Sequence, residues 1–188
     1  MADTSRAHDL VVEQYRVLAG YNTWMNRKLY AVAATLSDAA RTRDLGAFFR
    51  SVHGTLNHLL LTDRGWLRRL TQDPALYESR DSDGSVIALS GDLGQDLYAD
   101  FATLRHERER TDAAIEGWAA TLTAERLGAP LAYRTNDGTR YEHPTWWATT
   151  HFFNHQTHHR GQVTALLKQC DRDPGVTDLV VLLRSRTD

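Results

Sequence analysis

Four stretches of the chain repeat apolar residues in alternating steps of three and four, the pattern of helices that bury one face. The first runs from about Arg6 to Leu36, with Val11, Tyr15, Leu18, Asn22, Met25, Leu29, Val32 and Leu36 on one stripe. Asn22 is its polar member, and Ser37-Asp38 follows as a break. The second spans roughly Asp44 to Leu70 on Leu45, Phe49, Val52, Leu56, Leu59, Trp66 and Leu70, with Asp63 inside the series. Thr71-Gln72-Asp73-Pro74 ends it, because proline disfavours a helical residue before it. Asp81-Ser82-Asp83-Gly84 then reads as a loop. The third helix is expected from about Asp92 to Ala120 on Leu93, Leu97, Phe101, Leu104, Thr111, Ile115 and Trp118. Its charged run, Arg105-His106-Glu107-Arg108-Glu109-Arg110, reads as a solvated face.

The period then changes. Leu131 to Thr135 and Thr139 to Glu142 flank Asn136-Asp137-Gly138, which predicts a β-hairpin, since Asp-Gly suits the positive φ of tight turns. A fourth helix is expected from Thr145 to about Lys168. Asp173-Pro174-Gly175 breaks the chain, and Thr177 or Asp178 can cap a short last helix through Leu183. The fold class is therefore all-α: residues 1–188 form one four-helix bundle, with a small β-hairpin between helices three and four and a short C-terminal helix. The pattern leaves the order of up and down open.

Composition narrows the class. The chain has 188 residues, enough for one core without disulfides or a structural metal. Net charge is -2 with no basic surplus, which argues against a nucleic-acid partner. The N-terminus lacks the apolar stretch of a signal peptide, no segment approaches the ~20 apolar residues of a membrane span, and a cytoplasmic protein is expected. The lone cysteine, Cys170, reads as a packed small hydrophobe. The unusual number is nine histidines, five of them between His143 and His159.

On the fourth helix Ala148, His151, His155, His159, Gln162 and Leu166 share one strip, so imidazoles stand where a bundle normally places leucine. The His155-x-x-x-His159 spacing puts two rings one turn apart on the same side, within reach of one ion. A further ligand must come from elsewhere, and the second helix offers His53 and His58. Its middle is apolar almost all round, so periodicity does not choose between them. His158 points away as an outer or surface residue, while His8, His106 and His143 read as surface histidines. Other site types fail on residues: there is no Glu-x-x-His pair for a di-iron bundle, no H-E-x-x-H, no Gly-rich phosphate loop and no G-x-S-x-G elbow.

Three stretches together resemble the DinB/YfiT-like family. They are Tyr21-Asn22-Thr23-Trp24-Met25-Asn26, then His58 followed by Asp63 and Trp66, then His155-Gln156-Thr157-His158-His159-Arg160-Gly161-Gln162. The resemblance covers essentially the whole chain and implies a four-helix bundle, often a homodimer. Carried over residue by residue, it implies metal ligands His58, His155 and His159, and so decides for His58 over His53. Some relatives are transferases or isomerases that use low-molecular-weight thiols such as bacillithiol or mycothiol. Others have no established activity, and the family name describes induction by DNA damage rather than DNA binding.

Three neutral imidazoles suit a divalent transition metal, zinc or nickel first and iron next, and leave an open position. The expectation is a metal-dependent transferase or hydrolase in which a metal-bound thiolate or hydroxide attacks a small electrophilic substrate. His151 is the candidate general base in the hydroxide version, or else holds a ligand from behind. The alternative is a non-catalytic, metal-dependent binding or stress-response protein. Asp63 reads as a structural acid partnered by Arg160 or Asn22, and Trp24, Trp66, Trp146 and Trp147 as core or pocket wall.

Overall fold

The computed structural model describes residues 2–73 and 78–186, with side chains from residue 9 onward. Pro74 and the His8 side chain lie outside the described residues. The order of elements is α1 (Ala2–Ala33), α2 (Asp38–Thr42), α3 (Val52–Thr71), α4 (Phe101–Ala120), α5 (Ala124–Gly128), β1 (Pro130–Arg134), β2 (Arg140–Pro144), α6 (Thr145–Gln169) and α7 (Leu179–Arg184).

The long helices α1, α3, α4 and α6 form the bundle, in which α1 packs on α4 and α6, and α3 packs on α6 and α4. Cross-helix partners fix the directions. Asn57 meets Tyr98 and Arg64 meets Thr111, so α3 and α4 run parallel. Tyr15 meets Thr150 and Asn22 meets Arg160, so α1 and α6 are also parallel. His58 meets His159 and Trp66 meets His151, so α3 and α6 are antiparallel. The order is up, down, down, up. It requires one long crossover, residues 72–100, between the two parallel helices.

Two helices start later than their apolar period suggests. At α3, Gly46 and Arg50 take positive φ and Ser51 caps the helix by accepting the Gly54 N–H at 3.0 Å. Residues 44–50 are therefore a folded loop and not helix. Gly54 permits its close return, since a Cβ there would lie 2.4 Å from the Phe49 carbonyl oxygen. At α4, Asp100 caps by accepting the Thr103 N–H at 2.7 Å. Leu93 then lies in the crossover and is exposed, while Leu97 is buried. The first helix ends at Ala33 and not at Leu36, and the short α2 follows with Ser37 as its cap. Asp178 occupies the N-cap position of α7 without a side-chain capping bond.

The hairpin pairs Tyr133 with Tyr141 and Arg134 with Arg140. Of its turn residues only Gly138 takes positive φ. Trp24 and Trp66 are partly buried against the core, but Trp146 and Trp147 are 47% and 53% exposed, so they are not core, and they do not line the cavity that Trp66 borders. They start the first turn of α6 beside the hairpin, where the bundle interior no longer covers them.

Buried apolar residues fall into two clusters, one around Tyr15, Leu67, Ile115 and Phe152, the other around Leu29, Leu56, Leu104 and Val163. Between them the four helices contribute a polar layer. Arg108 is 2% exposed, in contrast to the solvated face expected of its charged run. It donates to Asp63 at 2.6 Å and pairs with Asp112 at 2.9 Å. Asp112 also accepts from Asn22 at 2.8 Å and Asn26 at 2.9 Å, and Arg160 donates to Asn22. Asp63 is thus structural as expected, but its partner is Arg108 and neither Arg160 nor Asn22. Two guanidiniums balance two carboxylates, which offsets the cost of burying them. Burial opposes the charge on Arg108, but Asp112 and Asp63 outweigh it and raise its pKa.

Candidate metal centre

Next to the polar layer α3 packs directly on α6. There His58, His155 and His159 bring one ring nitrogen each to within 4.8 Å of one another. The i, i+4 spacing puts the α6 rings 4.3 Å apart by centroid, and His58 approaches His159 at 4.4 Å and His155 at 5.3 Å. The two Nε2 atoms of His58 and His159 stand 3.2 Å apart.

The other nitrogens fix what those two atoms can do. His58 Nδ1 lies 2.8 Å from the Leu93 carbonyl oxygen, which can only accept, so Nδ1 carries the proton. His159 Nδ1 lies 2.8 Å from Gln162 Oε1 and donates in the same way. In the neutral tautomers set by these bonds, both Nε2 atoms present lone pairs to each other across 3.2 Å and cannot hydrogen-bond together. Such a pair fits a shared cation. The carbonyl and amide behind the rings are the usual groups that orient metal-binding imidazoles.

Phe49, on the loop before α3, stacks on His58 at 3.7 Å and leans on His159 at 5.5 Å, closing one side of the cluster. From the sequence Phe49 reads only as a member of a helix stripe, and nothing there marks the bonds of Leu93 and Gln162 to the histidine rings. A ring preceding a glycine-bearing, serine-capped helix start was the available signal for Phe49. No local pattern marks a carbonyl donated by a crossover.

His53 takes another path. It is buried, and its Nε2 contacts the Tyr98 carbonyl oxygen at 2.9 Å, so it joins α3 to the crossover as a core residue. His158 is exposed and reaches Gln162 at 3.1 Å, one step behind His159. His106 is exposed as expected, while His143 is half-buried between Tyr133 and Trp147. Cys170 packs at the edge of the second apolar cluster. His151 continues the strip, 5.7 Å from His155 and 5.0 Å from Trp66 by ring centroids.

Burial lowers the His58 pKa from 6.5 to about 4, with His159 adding to the effect and the Leu93 bond opposing it. Burial, then His159 and His58, lowers His155 to about 3. His58 and His155 are therefore neutral at neutral pH, and burial lowers His159 as well, the protonation state that metal binding needs. A stability effect follows for metal-free protein. Below pH 6.5 the unfolded chain protonates these histidines while the folded chain does not, so stability falls as pH drops towards about 4. Burial raises the Asp63 and Asp112 carboxyls and acts in the opposite direction, so a difference is the clean readout. Chelated wild type should lose more Tm between pH 7 and pH 5 than a His58→Ala/His155→Ala double variant. Equal losses would contradict the buried, neutral rings.

A cavity of about 600 Å³ opens beside His155 and His151, walled by Trp66, Leu61, Leu89 and Leu93, with Arg69 further along α3. That volume is within the ~300–1,000 Å³ typical of small-molecule sites.

Comparison with known proteins gives a consistent picture. The family model described as DinB family matches residues 8–187. The protein named Protein DinB of Bacillus subtilis (strain 168) is 23% identical over 165 residues, covering 84% of this chain and 87% of that protein. The crystal structure of a DinB-like protein from Bacillus cereus ATCC 10987 superposes with a TM-score of 0.52 at 17% identity, covering 82% of this chain and 91% of that one. That likeness concerns the fold. No helix among the described residues is long and apolar enough to cross a membrane.

Proposed function

The chain belongs to the DinB family, and from that membership and its converging imidazoles we propose that it is a metal-dependent enzyme. In this reading His58, His155 and His159 hold one divalent transition metal, zinc or nickel in first place and iron next, and the substrate is a small electrophile. The observation that carries it is the pair of unprotonated Nε2 atoms facing each other at 3.2 Å with both Nδ1–H groups committed elsewhere.

A bound metal would supply Lewis acidity, bringing a bound thiol or water towards a pKa of ~7. The chain's own groups do the rest. Leu93 and Gln162 hold two rings in one tautomer and orientation, Phe49 shields their outer side, and His155 borders the cavity where a substrate enters. His151, also on that cavity, is placed to take a proton from a nucleophile there, and partial burial together with Arg69 lowers its pKa, which favours the unprotonated form a base needs. The chemistry is transfer to a low-molecular-weight thiol or hydrolysis, carried out by a cytoplasmic homodimer.

The test is turnover of 1-chloro-2,4-dinitrobenzene with free cysteine by tag-free protein. Turnover above the uncatalysed rate should disappear on chelation and return with added zinc or nickel. A rate equal to background for this pair and for an activated ester with water would overturn the enzymatic reading.

A further inference from the structure

The reaction-centre reading leaves the far end of the cavity unexplained, and that end contains a cation. Arg69 is half-buried, with its guanidinium 4.9 Å over the Trp66 ring and 5.4 Å over the Tyr133 ring. It has no carboxylate partner among the described residues, unlike Arg64 and Arg108 on the neighbouring faces, which pair with Glu107 and Asp63. The two acids on the cavity wall are engaged locally: Asp92 accepts the Gly94 N–H, and Asp137 accepts from Thr135 and Thr139. Aromatic faces on two sides hold the planar group in place and remove part of its hydration while leaving its N–H fork uncommitted.

We propose that Arg69 is the anchor for a carboxylate on the substrate or cosubstrate, and that the cavity selects an elongated molecule with an anionic tail and an apolar middle. Arg69 lies over Trp66, Trp66 stands 5.0 Å from His151 and His151 5.7 Å from His155 by ring centroids, so the ligand runs from the guanidinium past Trp66 to His155. The middle of that path is Trp66, Leu61 and Leu93, surfaces that reward an aromatic or aliphatic segment. The cation also contributes selectivity: a carboxylate takes two parallel N–H bonds from a guanidinium, whereas a neutral amide of the same shape takes fewer and weaker ones. Partial burial, which also lowers the Arg69 pKa, increases the advantage of an anion. The proposal deepens the enzymatic reading by naming a substrate class, but the contact at Arg69 does not depend on a metal.

The experiment is calorimetric titration of tag-free protein with 4-phenylbutyrate and, separately, with 4-phenylbutanamide, before and after chelation with EDTA. A bond between charged groups in this setting corresponds to roughly tenfold or more in affinity, so the carboxylate should bind at least about ten times more tightly than the amide in both preparations. Arg69→Met, which keeps the stem over Trp66, should make the two ligands equal. Arg69→Lys should retain a smaller preference, because a point charge replaces the fork. Absence of a preference in wild type overturns the proposal, as does a preference that survives Arg69→Met. A preference lost on chelation also overturns it, because the carboxylate would then sit on the metal. If the protein never carries metal, both preparations behave alike and Arg69 is still tested.

Discussion

Arg108→Met should destabilise the protein by about 3–5 kcal/mol, the cost of removing one partner from a buried ion pair. Arg108 sits between Asp63 and Asp112, all three nearly inaccessible to solvent. Methionine fills much of the volume but leaves two carboxylates facing each other with the amides of Asn22, Asn26 and Gln156 and the more distant Arg160 to compensate. Both would be driven towards protonation, and the layer that separates the two apolar clusters would lose its charge balance. Urea unfolding followed by circular dichroism gives the number. Arg105→Met, three residues earlier on the exposed face, is the control and should stay within about 0.5 kcal/mol of wild type. A loss under about 1 kcal/mol for Arg108→Met would mean that the layer is open to water and does not hold α3, α4 and α6 in register.

The second large effect concerns metal affinity. His58→Ala and His155→Ala should each weaken binding by more than about 100-fold, since even residues behind the ligands contribute 10–100-fold. Each removes one of three converging nitrogens. His53→Ala should retain affinity within a few-fold, because the His53 Nε2 is committed to the Tyr98 carbonyl and faces away from the cluster. Competition with a chromophoric zinc chelator measures all three, with helical content checked in parallel. Equal losses for His53→Ala and His58→Ala would show that the effect is one of folding and not of ligation.

These two effects differ in how far the sequence announces them. The H-x-x-x-H spacing of His155 and His159 is visible without a structure, because helix geometry alone places the two rings together. His58 is different: His53 and His58 are both buried, and α3 is covered on nearly every side, so no polar face marks its direction. The resemblance to a family pointed to His58, and the crossover's Leu93 carbonyl explains physically how its ring is oriented.

The polar layer left traces that composition obscured. Asn22 and Asp63 interrupt otherwise apolar stripes, and the third stripe jumps from Leu104 to Thr111. Arg108 fills that gap at a step of four, but its neighbours Arg105 and Arg110 are exposed, and a charge run looks the same whichever member turns inward. The late starts of α3 and α4 were hidden for a related reason. Leu45, Phe49, Leu93 and Leu97 continue the helical period by chance of packing, while Ser51 and Asp100 carry the true start signals. The up, down, down, up order depends on which helices share polar partners, a tertiary fact with no local signature.

The most direct measurement is metal content by mass spectrometry on protein prepared without a histidine tag, with and without prior incubation in zinc, nickel or iron(II). Close to one divalent transition metal per chain, removed by chelation and restored on addition, is the expected result. Protein that carries none and takes up none at neutral pH, where His58 and His155 are unprotonated, would contradict a metal centre at these three histidines.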